Sequence, residues 1–177
     1  MMSLIVEDGT CVPTANAFVT RDELIEYAVD YYPATIVGYD ETTDSAILRA
    51  SRWLSSYPEW DGTMACGRGL QGLAWPRLGV IDCNGDSIPD DEIPIEVKQA
   101  TFLAALAELS SPGILEPTID PGKRQTSVKV DVIAVTYAEP TSSDIDALRP
   151  VITSISDILK CIATLPDGLK VPWPWVA

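Results

Sequence analysis

Two prolines bracket the stretch that most constrains this chain. Pro94 can occupy the first turn of a helix, where no backbone amide is needed, and Ser111-Pro112-Gly113 ends whatever begins there. Between them Val97, Ala100, Thr101, Ala104, Leu106, Ala107 and Leu109 predict a helix over about Ile95 to Leu109. Its alanines suit close approach of a second helix, so the core is expected to be built around it.

Two earlier helices supply partners. Thr20-Arg-Asp-Glu23 has capping-box spacing, in which hydroxyl and carboxylate each satisfy a backbone amide at a helix start. Leu24, Ala28 and Tyr31 then follow at helical spacing, predicting a helix from about Arg21 to Tyr32 that Pro33 helps to stop. After the polar stretch Asp40 to Thr43, Ile47, Leu48, Ala50, Ser51 and Leu54 predict a second helix from about Asp44 to Tyr57, ended by Pro58.

Extended structure is expected at fewer places. Gly62 to Leu73 reads as a glycine-rich loop. Val80–Cys83 and Asp86–Ile88 flank Asn84-Gly85, the dipeptide suited to a two-residue hairpin turn. Past a linker from Glu116 to Gly122, Ser127 to Tyr137 reads as one strand, with Val128, Val130 and Val132 alternating against Lys129 and Asp131 and a bulge or a fully covered end expected at Ile133. Ser143 to Ala163 reads as helical with a break at Pro150, its second piece carrying Val151, Ile152, Ile155, Ile158, Leu159 and Ile162. The fold class is therefore mainly α with a small β component: a helical bundle core, a β-hairpin or extended strand, and a C-terminal arm. One domain is expected over residues 1–164, with a Pro/Trp-rich arm over 165–177.

The chain's 177 residues include 26 Asp and Glu against 12 Lys and Arg, a formal net charge of −14. A protein that grips DNA neutralises phosphates with cations, so this balance disfavours general DNA binding. An acidic wall, by contrast, lets a duplex slide past without sticking. Apolar residues at 46% and charged ones at 21% are the balance of a folding protein. The start of the chain reads as no export signal, and no apolar run approaches the ~20 residues that cross a bilayer, so a protein made in a cytoplasm, with no membrane partner, is expected.

Candidate chemistry is thin. Cys11, Cys66, Cys83 and Cys161 show no CxxC spacing, and without histidine no mixed zinc site can be completed. Free, mostly buried thiols are expected; the one pair that comes to mind is Cys66 with Cys83. Gly67, Gly69 and Gly72 match GxGxxG, but no strand precedes them and Trp75-Pro76 follows at once, so a plain loop is the better reading. Asp82, Asn84 and Asp86 have the oxygen spacing that opens a calcium loop, yet Ser87 and Ile93 stand where glycine and glutamate are wanted. Asp86, Asp90, Asp91 and Glu92 look like uniformly wet charges, not a catalytic pair in unlike environments. No catalytic, metal or cofactor site is expected.

One element is more specific. Trp53-Leu54 and Tyr57, then Trp60-Asp61-Gly62, then Gln71-Gly-Leu-Ala-Trp-Pro-Arg77, then Ile93-Pro94, Val97, Ala100 and Ala104 resemble the tailed-phage head-tail adaptor proteins that also go by the description DnaT-like single-stranded-DNA-binding protein. The resemblance covers roughly residues 15 to 155. It implies a non-enzymatic virion protein of the neck, assembled in the host cytoplasm: a homo-oligomeric ring, dodecameric in such connectors, beneath the portal protein. A stopper or tail protein would lie below it, and packaged DNA would pass through without specific binding. Trp75, Pro76 and Arg77 are then candidate subunit or portal contacts, although the same three residues serve equally as a packing corner within one domain. Trp173 and Trp175, in the Pro-rich tail, are further contact candidates, with an arm folded back on its own domain as the alternative.

Two other functions stay open. A single-stranded-DNA-binding accessory would stack bases on Tyr27, Tyr31, Tyr32 and Trp60 beside Arg49, Arg52, Arg68 and Arg77. A small enzyme or metal-dependent module would need a perturbed carboxylate in a cleft.

Overall fold

The computed structural model describes residues 3–33, 37–67, 69–116, 127–130, 133–136 and 151–165. Among the described residues four helices carry the core: α1 (Arg21–Tyr31), α2 (Glu41–Ser56), α3 (Ile95–Ser110) and α4 (Thr153–Leu159). Seven short strands accompany them among the same residues, so the mainly α class with a small β component holds. They are β1 (Glu59–Trp60), β2 (Thr63–Met64), β3 (Arg77–Leu78), β4 (Ser127–Val130), β5 (Ile133–Thr136), β6 (Val151–Ile152) and β7 (Ala163–Thr164).

Helix α3 is the central element. Val97, Ala100, Phe102 to Ala107 and even Glu108 are buried, so apolar residues surround it on nearly every side, as in a helix sheathed by others. α2 lays the stripe Ala46, Ile47, Ala50, Trp53 and Leu54 toward it, and α4 adds Ile155 and Leu159 to the same core. α1 joins through Tyr27, whose ring stacks on Phe102 at 4.7 Å.

Helix starts follow local chemistry. Thr20 and Glu23 form the complete capping box. α2 begins three residues earlier than its apolar stripe suggests, because the Asp40 carboxylate accepts the amides of Thr42 and Thr43 and caps the helix there.

The strands depart further from expectation. β4 and β5 are two antiparallel strands, Ser127 opposite Thr136 and Val130 opposite Ile133, not one strand with a bulge. β6 extends this sheet by pairing Val151 and Ile152 with Thr136 and Val135, which takes those two residues out of the expected helix. Similarly Ala163, the last residue of the expected helix, pairs instead with Trp60, and Thr164 beside it pairs with Glu59, forming β7 against β1. For β6 and β7 a partner distant in sequence decides the conformation, which local periodicity cannot register, whereas β4 and β5 form a local hairpin. Residues 143–150 and the linker 117–122 lie outside the described residues, as do Trp173 and Trp175 with the rest of 166–177. Leu165, the first residue assigned to the arm, is buried in the core.

The hairpin at Asn84-Gly85 is present but tighter in its logic. Ile81 pairs with Ser87, and Ile88 donates to the carbonyl of Val80. Gly85 alone has a positive φ, 92°, and its amide donates to the carbonyl of Asp82. That is a three-residue connection, a turn followed by a left-handed glycine, not the two-residue turn that needs both central angles positive.

Candidate functional site

The Gln71–Arg77 corner is the most internally connected polar feature of the chain. Gln71 is buried; its side-chain amide donates to the carbonyls of Leu73 and Pro76, both at 2.9 Å, while its oxygen accepts the amide of Cys66. One side chain thus holds both limbs of the corner. Trp75, fully buried, sits at its apex, edge-on to Trp60 with ring centroids 5.6 Å apart, and the Trp75–Pro76 peptide is cis.

Arg77 completes the corner by an unforeseen route. Its guanidinium donates to the backbone carbonyls of Asp61 at 2.7 Å, Gly62 at 2.8 Å and Ala74 at 3.1 Å. It meets a ring of carbonyl dipoles, which β2 and β3, paired through Thr63–Leu78 and Met64–Arg77, hold in place. Burial lowers the pKa of Arg77 from its usual value, and nearby Asp61 opposes that change. The three contact candidates in this corner therefore act inside the chain: Trp75 presents no surface, Pro76 turns the backbone, and Arg77 ties strands to loop.

The N-terminal loop is seated against the corner. Glu7, buried, turns its carboxylate inward to accept the amides of Gly9, Cys11 and Val12 at 2.9–3.1 Å. That cradle supports Cys11 in the left-handed region at φ 61°, costly for a residue with a Cβ. Gly72 abuts the same loop, with a Cβ there falling 2.4 Å from the carbonyl oxygen of Ala15, so only glycine fits the junction.

The cysteines overturn the expectation of free thiols. Cys11 bonds to Cys66 and Cys83 to Cys161, with Cα separations of 6.2 and 5.0 Å. The Cys66–Cys83 pair is not formed. Spacing failed as a guide because each bridge joins segments 55 or 78 residues apart that only the folded core brings together.

The remaining candidates resolve as follows. Gly67 and Gly69 lie in an open turn with positive φ, and no helix follows Gly72, so the glycines form no phosphate cradle. Asp82 turns its carboxylate to the amides of Asn84 and Asp86, which holds its pKa below the usual carboxylate range, the Asp86 amide contributing most. Among the described residues no cluster of three or more acidic or cysteine side chains is placed to hold a metal ion. Asp86, Asp90, Asp91 and Glu92 are all exposed.

The aromatic residues considered for base stacking divide. Trp60 is consumed by the fold, its indole donating to the carbonyl of Leu54 at 3.0 Å. Tyr27 lies between Phe102 and Tyr31, each ring 4.7 Å away, which leaves Tyr31 exposed at the end of the stack. The cations are committed too. Arg21 pairs with Asp44, Arg49 with buried Glu108, Arg52 with Glu116, and Lys98 with Glu23, while Arg77 serves the corner. Of the six basic side chains described, only Lys160 stands outside these contacts, on the surface. Arg68 lies outside the described residues.

No helix among the described residues is long and apolar enough to cross a membrane. No curated protein and no solved structure matches the chain. A family model does, over residues 2–170, so nearly the whole sequence, corner, helices and both disulfides included, belongs to the family described as "Putative DnaT-like ssDNA binding protein".

Proposed function

We propose that this chain is a structural assembly protein, a head-tail adaptor whose copies form a ring beneath a portal and continue a channel for packaged DNA. The observation that carries the reading is where the cations go. Five of the six basic side chains described are spent on ion pairs or backbone carbonyls of their own chain, against a net charge of −14. Such a surface disfavours phosphate binding, most strongly at low salt, and suits the wall of a conduit. The Trp-Pro-Arg corner adds a firmly held element, which suits repeated head-to-tail contacts in a closed ring. No enzymatic role, cofactor or metal enters this reading, and its place is the virion neck.

The family description favours a second reading, single-stranded-DNA binding, and contains no adaptor term. Its physical support in this chain is the exposed ring of Tyr31, stacked from behind by Tyr27 and available on its outer face for a base. Exposed Glu26 and Asp30 share that helix, however, and would face the phosphates.

One experiment separates the two. Purified protein is examined by light scattering alone and with portal particles, and by fluorescence anisotropy with labelled single-stranded DNA across a salt series. Stoichiometric rings on the portal without DNA binding are expected. Salt-sensitive DNA binding without portal association would overturn the adaptor reading in favour of the second.

A further inference from the structure

The four cysteines serve neither reading, yet their placement is unequal in a way that bears on chemistry. Cys66 is exposed, beside Gly67 and near Gly69, at both of which an added Cβ would meet nothing within 4 Å. Its partner Cys11 is half-buried and held by a hydrogen bond that does not depend on the bridge: its amide donates to Glu7. Cys66 is likewise held by its amide to Gln71. The two thiols of the reduced chain are thus brought to bonding distance by the corner itself. Cys83 and Cys161 are both half-buried, and Cys161 sits between Lys160 and buried Ile162 at the end of α4.

We propose that Cys66 is a thiol-exchange site for low-molecular-weight disulfides, and that it closes the Cys11–Cys66 bridge on the already folded chain ahead of Cys83–Cys161. The Cys66 thiolate attacks one sulfur of a glutathione-type disulfide, forms a mixed disulfide and expels one thiolate. The Cys11 thiolate then attacks the Cys66 sulfur, forms the bridge and expels the second. Two protein thiols lose two protons and two electrons, and one small disulfide gains them. Access favours Cys66 because exchange depends on reaching the sulfur. The second bridge closes more slowly, since neither Cys83 nor Cys161 is exposed as Cys66 is. Such a chain folds with free thiols in a reducing compartment and is locked on transfer to an oxidising one. This inference stands whichever function is correct.

The test uses the full-length protein, reduced, desalted without oxygen and mixed with oxidised glutathione. Samples are quenched with acid, alkylated and mapped by peptide mass spectrometry. The expected sequence is a glutathione adduct on Cys66, then Cys11–Cys66, then Cys83–Cys161 at a rate lower by about tenfold or more, as burial slows access. In Cys11→Ser the Cys66 adduct should accumulate. Equal labelling of all four cysteines, a crossed pair such as Cys66–Cys83, or prior closure of Cys83–Cys161 would each overturn the proposal. The wild-type time course decides even where the variant folds poorly, and unchanged far-ultraviolet dichroism before and after oxidation is the expected sign that folding precedes closure.

Discussion

The side-chain amide of Gln71 donates to the carbonyl of Pro76 across 2.9 Å, and the same nitrogen reaches Leu73, so one buried residue spans the turn that Trp75 fills. Gln71→Leu, close in size, leaves the Cys66 amide and two carbonyls without this partner. The expected loss is about 2–3 kcal/mol of unfolding free energy, read by urea denaturation under oxidising conditions. A loss below about 0.5 kcal/mol would show that the corner does not depend on the amide.

Glu108 and Arg49 should prove unequal partners. The Glu108 carboxylate is 3% exposed and also accepts the amides of Gly113 and Leu115, whereas the Arg49 side chain is 53% exposed. Glu108→Ala removes the anchor of the loop after α3 and should cost about 3 kcal/mol, against about 1 kcal/mol for Arg49→Ala. Denaturation midpoints of the two variants check the order, and equal costs would assign the stabilisation to the ion pair alone.

Trp75 separates volume from polarity. Its indole nitrogen is buried and has no hydrogen-bond partner among the described residues. Trp75→Phe removes that donor while keeping an aromatic ring and should cost less than about 2 kcal/mol, whereas Trp75→Ala should cost about 3–5 kcal/mol through the cavity it leaves. Calorimetric melting of both variants provides the comparison.

Acid should weaken the start of α1. Burial alone would raise the pKa of Glu23, but hydrogen bonds from the Thr20 backbone and Lys98 outweigh it and hold the pKa below its usual 4.5. A lowered folded pKa means that the carboxylate's contribution is full above 4.5 and fades as pH falls through the folded value. Thermal melts of wild type and Glu23→Gln should therefore differ at pH 7 and converge as the pH falls well below 4.5. A gap that persists in acid would place the effect elsewhere than in the charge.

Alkali acts one turn further along the same helix. Burial, reinforced by the neighbouring Tyr32 and Tyr31 hydroxyls, pushes the Tyr27 pKa from 10.0 up to about 12. Because the folded state favours the neutral phenol, that stability is full below pH 10 and declines between 10 and about 12. A phenolate absorbance titration of the folded protein should show a late-titrating tyrosine, absent from Tyr27→Phe.

The helices were legible because their determinants are local. Thr20 and Glu23 lie three residues apart, Pro94 and Pro112 punctuate α3, and the core stripe of α2 repeats within sixteen residues. The small strands were not, since Val151 and Ile152 take their conformation from Val135 and Thr136, and Ala163 takes its own from Trp60. In the corner, Trp75, Pro76 and Arg77 stand out by residue type. Gln71, which binds them together, does not, and only its position four residues before a Trp-Pro pair hints at its use. Nothing in the spacing of the cysteines foretold their partners, because pairing of that kind is a property of the assembled core.

The bridges also give the oxidised chain a definite connectivity. Cys11–Cys66 and Cys83–Cys161 enclose consecutive, non-overlapping spans, so the molecule is two covalent hoops joined by a single tether, residues 67–82, and that tether contains the Gln71–Arg77 corner. A backbone cut inside either hoop leaves every atom still linked to the rest. A cut in the tether parts the chain in two, with only packing and hydrogen bonds to hold the halves together, and within it Gln71 and Leu73 to Pro76 are shielded by burial in the core while Gly69 and Leu70 lie open.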